Sequence, residues 1–235
     1  MRFNSVIISS FFASAVLAAP GRERRSWSAN TTLDSNWAGS ITTLEGNGTF
    51  GYVSSTVYAP DLSGQVGSSG VALIGIDGTP ACLGGMLQLG VMFNIAVEGP
   101  SYLAAYRYGN ESEGFFTNVD IIAGDAIKLM VSAPVDATLG FVMVKNLRNN
   151  QTATQQFNST ERLCGKTAEW IVESLVIEDP KSPLVNFGTV TFADVQVGGG
   201  KDFGPQTDSI LNIIENGKVL TSVSVEDDSV LVKYL

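Results

Sequence analysis

Apolar and polar residues alternate along much of this chain with a period of two. The clearest run covers residues 86–97. Leu87, Leu89, Val91, Phe93, Ile95 and Val97 form an unbroken apolar row, and Met86, Gln88, Gly90, Met92, Asn94 and Ala96 take the alternate positions. Successive side chains of a strand point to opposite faces, so the first row belongs in a core and Gln88 and Asn94 look out of the other face. Residues 168–176 behave alike: Trp170, Val172 and Val176 share one face, and Glu169, Ile171 and Glu173 share the other. Polar side chains on a non-core face are expected to be solvated. They gain interest if two such faces meet over a concave groove.

Shorter runs at 49–59, 71–76, 127–131, 139–145, 184–197, 219–225 and 229–234 also read as strands, broken by Gly, Asn, Asp and Pro. Asn216-Gly217 is the strongest hairpin signal, and Glu226-Asp227-Asp228 reads as a tight turn. No segment carries a capped helical pattern of ten or more residues, and there is no repeat or heptad. The chain is therefore expected to be all-β, a sandwich of two antiparallel sheets.

The first residues change the picture of where the chain works. Arg2 precedes an apolar stretch at 6–17, followed by Ala18 and Ala19. That stretch is shorter than the roughly 20 residues a membrane span requires, so 1–18 reads as a secretory signal. Arg24-Arg25 resembles a processing site, which makes 19–25 a short pro-segment and 26–235 a single mature domain. Loss of 1–25 removes four of 14 basic and one of 23 acidic residues, leaving ten and 22 and a net charge of −12. That charge, with no basic run, argues against nucleic acid as a partner. Secretion favours an oxidising compartment, in which Cys82 and Cys164 are read as one disulfide. N-x-Ser/Thr sequons at Asn30, Asn47, Asn110, Asn150 and Asn158 are candidate glycan sites on a secreted, extracellular protein.

Among 235 residues there is no histidine. This excludes Ser-His-Asp and Cys-His catalysis and His-ligated zinc. No Asp-Thr-Gly or Asp-Ser-Gly signature of an aspartic dyad occurs. No Gly-x-Ser-x-Gly elbow, EF-hand loop or phosphate loop occurs either, so no metal or cofactor is expected. Glu169 and Glu173 could be a pair of glycosidase carboxylates or two exposed glutamates. Four residues of strand set them roughly 13 Å apart, too far for the former.

Several blocks occur in a telling order: Ser35-Asn36-Trp37-Ala38-Gly39, Gly75-Ile76-Asp77-Gly78, Leu87-Gln88-Leu89-Gly90-Val91, Ala168-Glu169-Trp170-Ile171-Val172-Glu173 and Phe187-Gly188-Thr189-Val190-Thr191-Phe192. From about residue 33 to 234 the chain resembles the fungal glutamic peptidases (eqolisins). The resemblance implies a concanavalin-A-like β-sandwich and a catalytic dyad of Gln88 and Glu169. Glu169 would act as general base on a water and then as acid to the leaving amine, with Gln88 holding the water and donating to the oxyanion. A carboxylate of pKa near 4 would place the optimum in acid. The implied protein is a pepstatin-insensitive endopeptidase, a monomer acting on protein or peptide, with no membrane association once the signal is gone. The cysteine offsets also resemble a cysteine pair of that family.

Trp37 and Tyr108 are candidate groove residues; Trp37 reads equally as a buried aromatic. Asp77 reads as a turn residue. The chain departs from the family pattern at Leu73, Leu89, Met92 and in Ala105-Tyr106-Arg107-Tyr108-Gly109, where polar or aromatic groove lining is expected. Two rival readings remain: a non-catalytic paralogue binding peptide or glycan in the same groove, and a glycosidase or lectin on the same architecture.

Overall fold

The computed structural model describes residues 31–235 apart from 45, 47, 81, 83, 84, 111, 135–137, 176–181, 199–203, 206–208 and 227. The expected signal and pro-segment, Asn30, Asn47, Val176 and Asp227 lie outside the described residues.

The described secondary structure is all strand, numbered here in chain order. One sheet runs β1 (Thr31–Asp34), β13 (Ile210–Glu215), β2 (Trp37–Thr43), β11 (Thr167–Glu173), β4 (Ser69–Asp77), β5 (Met86–Ala96), β6 (Gly99–Tyr108), β7 (Ser112–Phe116), with β14 (Lys218–Val219) hung on β13. The other runs β10 (Thr152–Asn158), β9 (Leu139–Asn146), β8 (Ala126–Ser132), β3 (Tyr52–Tyr58), β12 (Thr189–Gly198), β16 (Ser229–Tyr234), β15 (Thr221–Glu226). Pairing is antiparallel except between β1 and β13. The expected sandwich of two antiparallel sheets is the fold.

The main core fills the space between the sheets. Leu87, Leu89, Val91 and Phe93 enter it from β5, as their period predicts, and meet Val57, Ile127, Leu129 and Phe192 of the facing sheet. Val97 does not join the row: β5 ends at Ala96 and Val97 is 84% exposed in the following turn. A second apolar cluster lies on the outer face of the larger sheet and contains Val71, Leu73, Met92, Ala105, Ile171 and Leu175. With one cluster on each face, the central strands β4 and β11 are buried along their whole length.

The run at 184–197 contributes a strand only from Thr189; Leu184 and Asn186 make isolated bridges to Ser69 and Ser63. Asn216 and Gly217 have φ of 50° and 80° and turn β13 into β14, the backbone a two-residue hairpin demands. Glu226 faces Ser229, the register of a tight turn.

Candidate active site

Strand register assembles the site. Across the outer face of the larger sheet, Ile41, Glu169, Gly75, Gln88, Arg107 and Glu113 form one transverse row through β2, β11, β4, β5, β6 and β7. Gln88 and Glu169 are therefore separated by one strand only, and the residue between them is a glycine. Gln88 Nε2 donates to Glu169 Oε1 at 2.7 Å. A Cβ at residue 75 would overlap Glu169 Oε1 and stand 3.0 Å from Gln88 Cγ.

The pair is buried, with Gln88 1% and Glu169 0% exposed. Neither is solvated, contrary to what their place on a non-core face leads one to expect. Gln88 Oε1 and Glu169 Oε2 have no hydrogen-bond partner among the described residues. Two unsatisfied buried oxygens on one hydrogen-bonded pair are costly in a purely structural contact. Burial raises the Glu169 pKa to about 8; the Gln88 hydrogen bond opposes this, and the carboxylates of Glu173 and Asp77 add to it. The ordinary value near 4 expected for this group is overturned by desolvation.

Asp77 does more than turn the chain. Its φ is 64°, as suits the end of β4, and its carboxylate accepts four backbone N–H bonds. Oδ2 takes those of Cys164 (2.7 Å) and Gly165 (2.8 Å), and Oδ1 those of Lys166 (2.7 Å) and Thr167 (3.3 Å). These donors belong to the segment that enters β11 two residues before Glu169. Cys82 and Cys164 form a disulfide with Cα atoms 5.8 Å apart, joining the β4–β5 connection to that same segment. The anchoring role of Asp77 was missed in the sequence, since its partners lie 87 to 90 residues away.

Trp37 is half-buried on the outer face, opposite Glu173 in register and packed against the second apolar cluster. Tyr108 is a correction. It pairs with Leu87 rather than Gln88, so its side chain enters the inter-sheet core, where it is 0% exposed, stacks near Phe157 and donates its hydroxyl to the Glu161 carbonyl. Arg107 takes the place beside Gln88. Its Nε donates to the Gly109 carbonyl at 2.6 Å and its Nη2 to Asn110 Oδ1 at 2.8 Å. Burial lowers the Arg107 pKa, opposed by the carboxylates of Glu113, Glu173 and Glu161.

Leu73 and Met92 lie on the outer face, but Leu89 faces the inter-sheet core, so its departure from the family pattern does not touch the groove. Glu173 is buried at 5% exposure, not the solvated glutamate expected. Asn110, Asn150 and Asn158 are exposed.

Residues 35–234 match the Peptidase A4 family. The chain is 31% identical to aspergillopepsin-2 of Aspergillus niger over 287 aligned positions, covering 100% of both proteins. It is 32% identical to scytalidopepsin B of Scytalidium lignicola, over 95% of this chain and 86% of that protein. Among solved structures, scytalido-glutamic peptidase with a peptide-based transition-state analogue superposes with a TM-score of 0.74 at 29% identity, covering 86% of this chain and 99% of that one.

Proposed function

The chain belongs to the peptidase A4 family and is a glutamic peptidase, and on that premise we propose that it hydrolyses internal peptide bonds in acid, outside the cell, through Gln88 and Glu169. The observation that carries this reading is the buried Gln88–Glu169 contact with one unsatisfied oxygen on each partner. A hydrolytic water held by Glu169 Oε2 and Gln88 Oε1 would satisfy both.

In the reaction, Glu169 takes a proton from the water as its oxygen attacks the scissile carbonyl. The second hydrogen of Gln88 Nε2, not used by Glu169, donates to the developing oxyanion; such donors typically contribute about 3–4 kcal/mol. Glu169 then delivers its proton to the leaving nitrogen, the C–N bond breaks, and a carboxylic acid and an amine depart. The resting site holds Glu169 neutral to about pH 8. Entry of a polar peptide and its water stabilises the carboxylate by hydrogen bonding, which frees the base in acid. Peptide is the partner and the monomer the acting unit. Secretion rests on the signal at 1–18 and processing after Arg25. No helix among the described residues is long and apolar enough to cross a membrane.

Casein digestion at about pH 3, with and without pepstatin, tests the reading. Pepstatin-resistant cleavage that disappears in Glu169→Gln is expected. A folded protein that cleaves nothing at any acid pH would favour the peptide-binding paralogue instead.

A further inference from the structure

A cavity of about 330 Å³ opens on the outer face one strand beyond Glu169, on the side away from Gln88. Glu169 does not line it, but its cross-strand neighbour Ile41 forms the near wall, with Thr43 on the same strand. Ile210 and Leu211 of β13 and Pro80 add apolar surface, and Thr32, Thr79 and Ser209 add hydroxyl-bearing residues to the lining. Thr79 itself reaches Thr167, two residues before Glu169, with their hydroxyl oxygens 3.5 Å apart. None of the described residues lining the cavity is charged. Its size lies at the small end of ligand pockets, about 300–1,000 Å³, and suits one side chain rather than a whole ligand.

The geometry points to this cavity as a specificity subsite that receives one of the two residues flanking the scissile bond and selects an uncharged, aliphatic or hydroxyl-bearing side chain. The inference rests on the proposed dyad, because adjacency to Glu169 is what makes the cavity a subsite. The transverse row gives the substrate contrasting surroundings at its two ends: the uncharged cavity lies beyond Ile41, whereas the Gln88 side carries Arg107 and Glu113. A lysine or aspartate entering the cavity would lose water and find no opposite charge, so charged residues are disfavoured there. A branched aliphatic residue would bury its methyls against Ile41 and Leu211, and a threonine would find hydroxyl partners.

The test profiles cleavage sites by mass spectrometry in a mixed peptide library, using purified protein and two variants. Thr43 is exposed at the end of β2, so Thr43→Arg places a guanidinium in the cavity without disturbing a core. The wild type is expected to cut beside uncharged residues at least about tenfold faster than beside charged ones. Thr43→Arg should shift acceptance toward Asp and Glu at that one position, and Leu211→Ala should admit bulkier side chains there. Wild-type cleavage with the same flanking preferences in both variants overturns the subsite and leaves the peptidase reading standing. No cleavage by the folded wild type overturns the peptidase reading, and the subsite with it.

Discussion

Gly75 stands opposite Glu169 in the ladder, and the lack of a side chain there is what lets Glu169 reach Gln88 across an entire strand. The polar pair is thus created by a residue that takes no part in its hydrogen bond. Gly75→Ala should push Glu169 or Gln88 aside by about 1 Å. Misplacement of that size typically costs on the order of 100-fold in rate. The expected result is a kcat loss of that order, with the native circular dichroism signal retained at a lower Tm. Unchanged kcat would mean that the contact is not needed for turnover.

Glu169 also ties stability to pH. Its pKa rises from an ordinary 4.5 to about 8 on folding. Between those values the unfolded chain has released the proton and the folded chain still holds it, so stability falls as pH rises across the window. The penalty is absent below 4.5 and complete above 8, at roughly 5 kcal/mol. Asp125 works in the other direction. Burial alone would raise its pKa, but hydrogen bonds from Arg148, the Ile122 N–H and Asn146 outweigh it and hold the carboxyl below its ordinary range. That contribution is lost as pH falls through the folded value. No histidine is present to charge in acid. Thermal melts across pH should show a more stable protein at acid than at mildly alkaline pH. Glu169→Gln should flatten the decline between 4.5 and 8; an unaltered curve in that variant would assign the decline to other groups.

Asp77→Asn keeps the shape and tolerates the positive φ, yet it removes the charge that four backbone N–H groups share. Hydrogen bonds to a charged group are worth about 1.5–3 kcal/mol each. A destabilisation of about 3 kcal/mol or more is expected, measured by denaturant titration. Because the anchored segment leads directly to Glu169, kcat should fall further than KM rises. A variant as stable as the wild type would show the anchor to be redundant with the disulfide.

Opening the Cys82–Cys164 bond by paired Ser substitution releases a closure between residues 82 apart in sequence. In the chain-entropy account that closure is worth about 4.5 kcal/mol. Tm and activity should both fall, and intact wild-type protein should show no free thiol by mass spectrometry. Full activity in the double Ser variant would confine the bond to a stabilising role.

The alternation over β5 was legible because one of its faces is apolar throughout and the other mixed. In β4 it was not: both faces of Val71 to Ile76 are buried, so no polar residue marks the outer one. β10 carries no such signal because Thr152–Asn158 is an edge strand that buries little beyond Ala153 and Phe157. Gln88 and Glu169 could be picked out from their local motifs. Their burial could not, since the outer face they occupy is covered by a second cluster drawn from four strands of the sheet and from Leu175, two residues beyond β11. Tyr108 was misjudged by a single position of parity. The turn between β5 and β6 sets which of Arg107 and Tyr108 stands beside Gln88, and nothing in the local sequence reports it.

The disulfide also determines what happens if such an enzyme digests itself. Gln88 lies inside the covalent ring closed by Cys82 and Cys164, and Glu169 lies just outside it. A single backbone cut at any bond between the two cysteines leaves two polypeptides that cannot separate: the first always bears Cys82, the second always bears Cys164 and Glu169, and Gln88 goes with the first wherever the cut falls beyond it. The nicked molecule keeps its halves at fixed stoichiometry through any dilution, so damage in the ring's surface loops changes the number of chain ends without dispersing the parts.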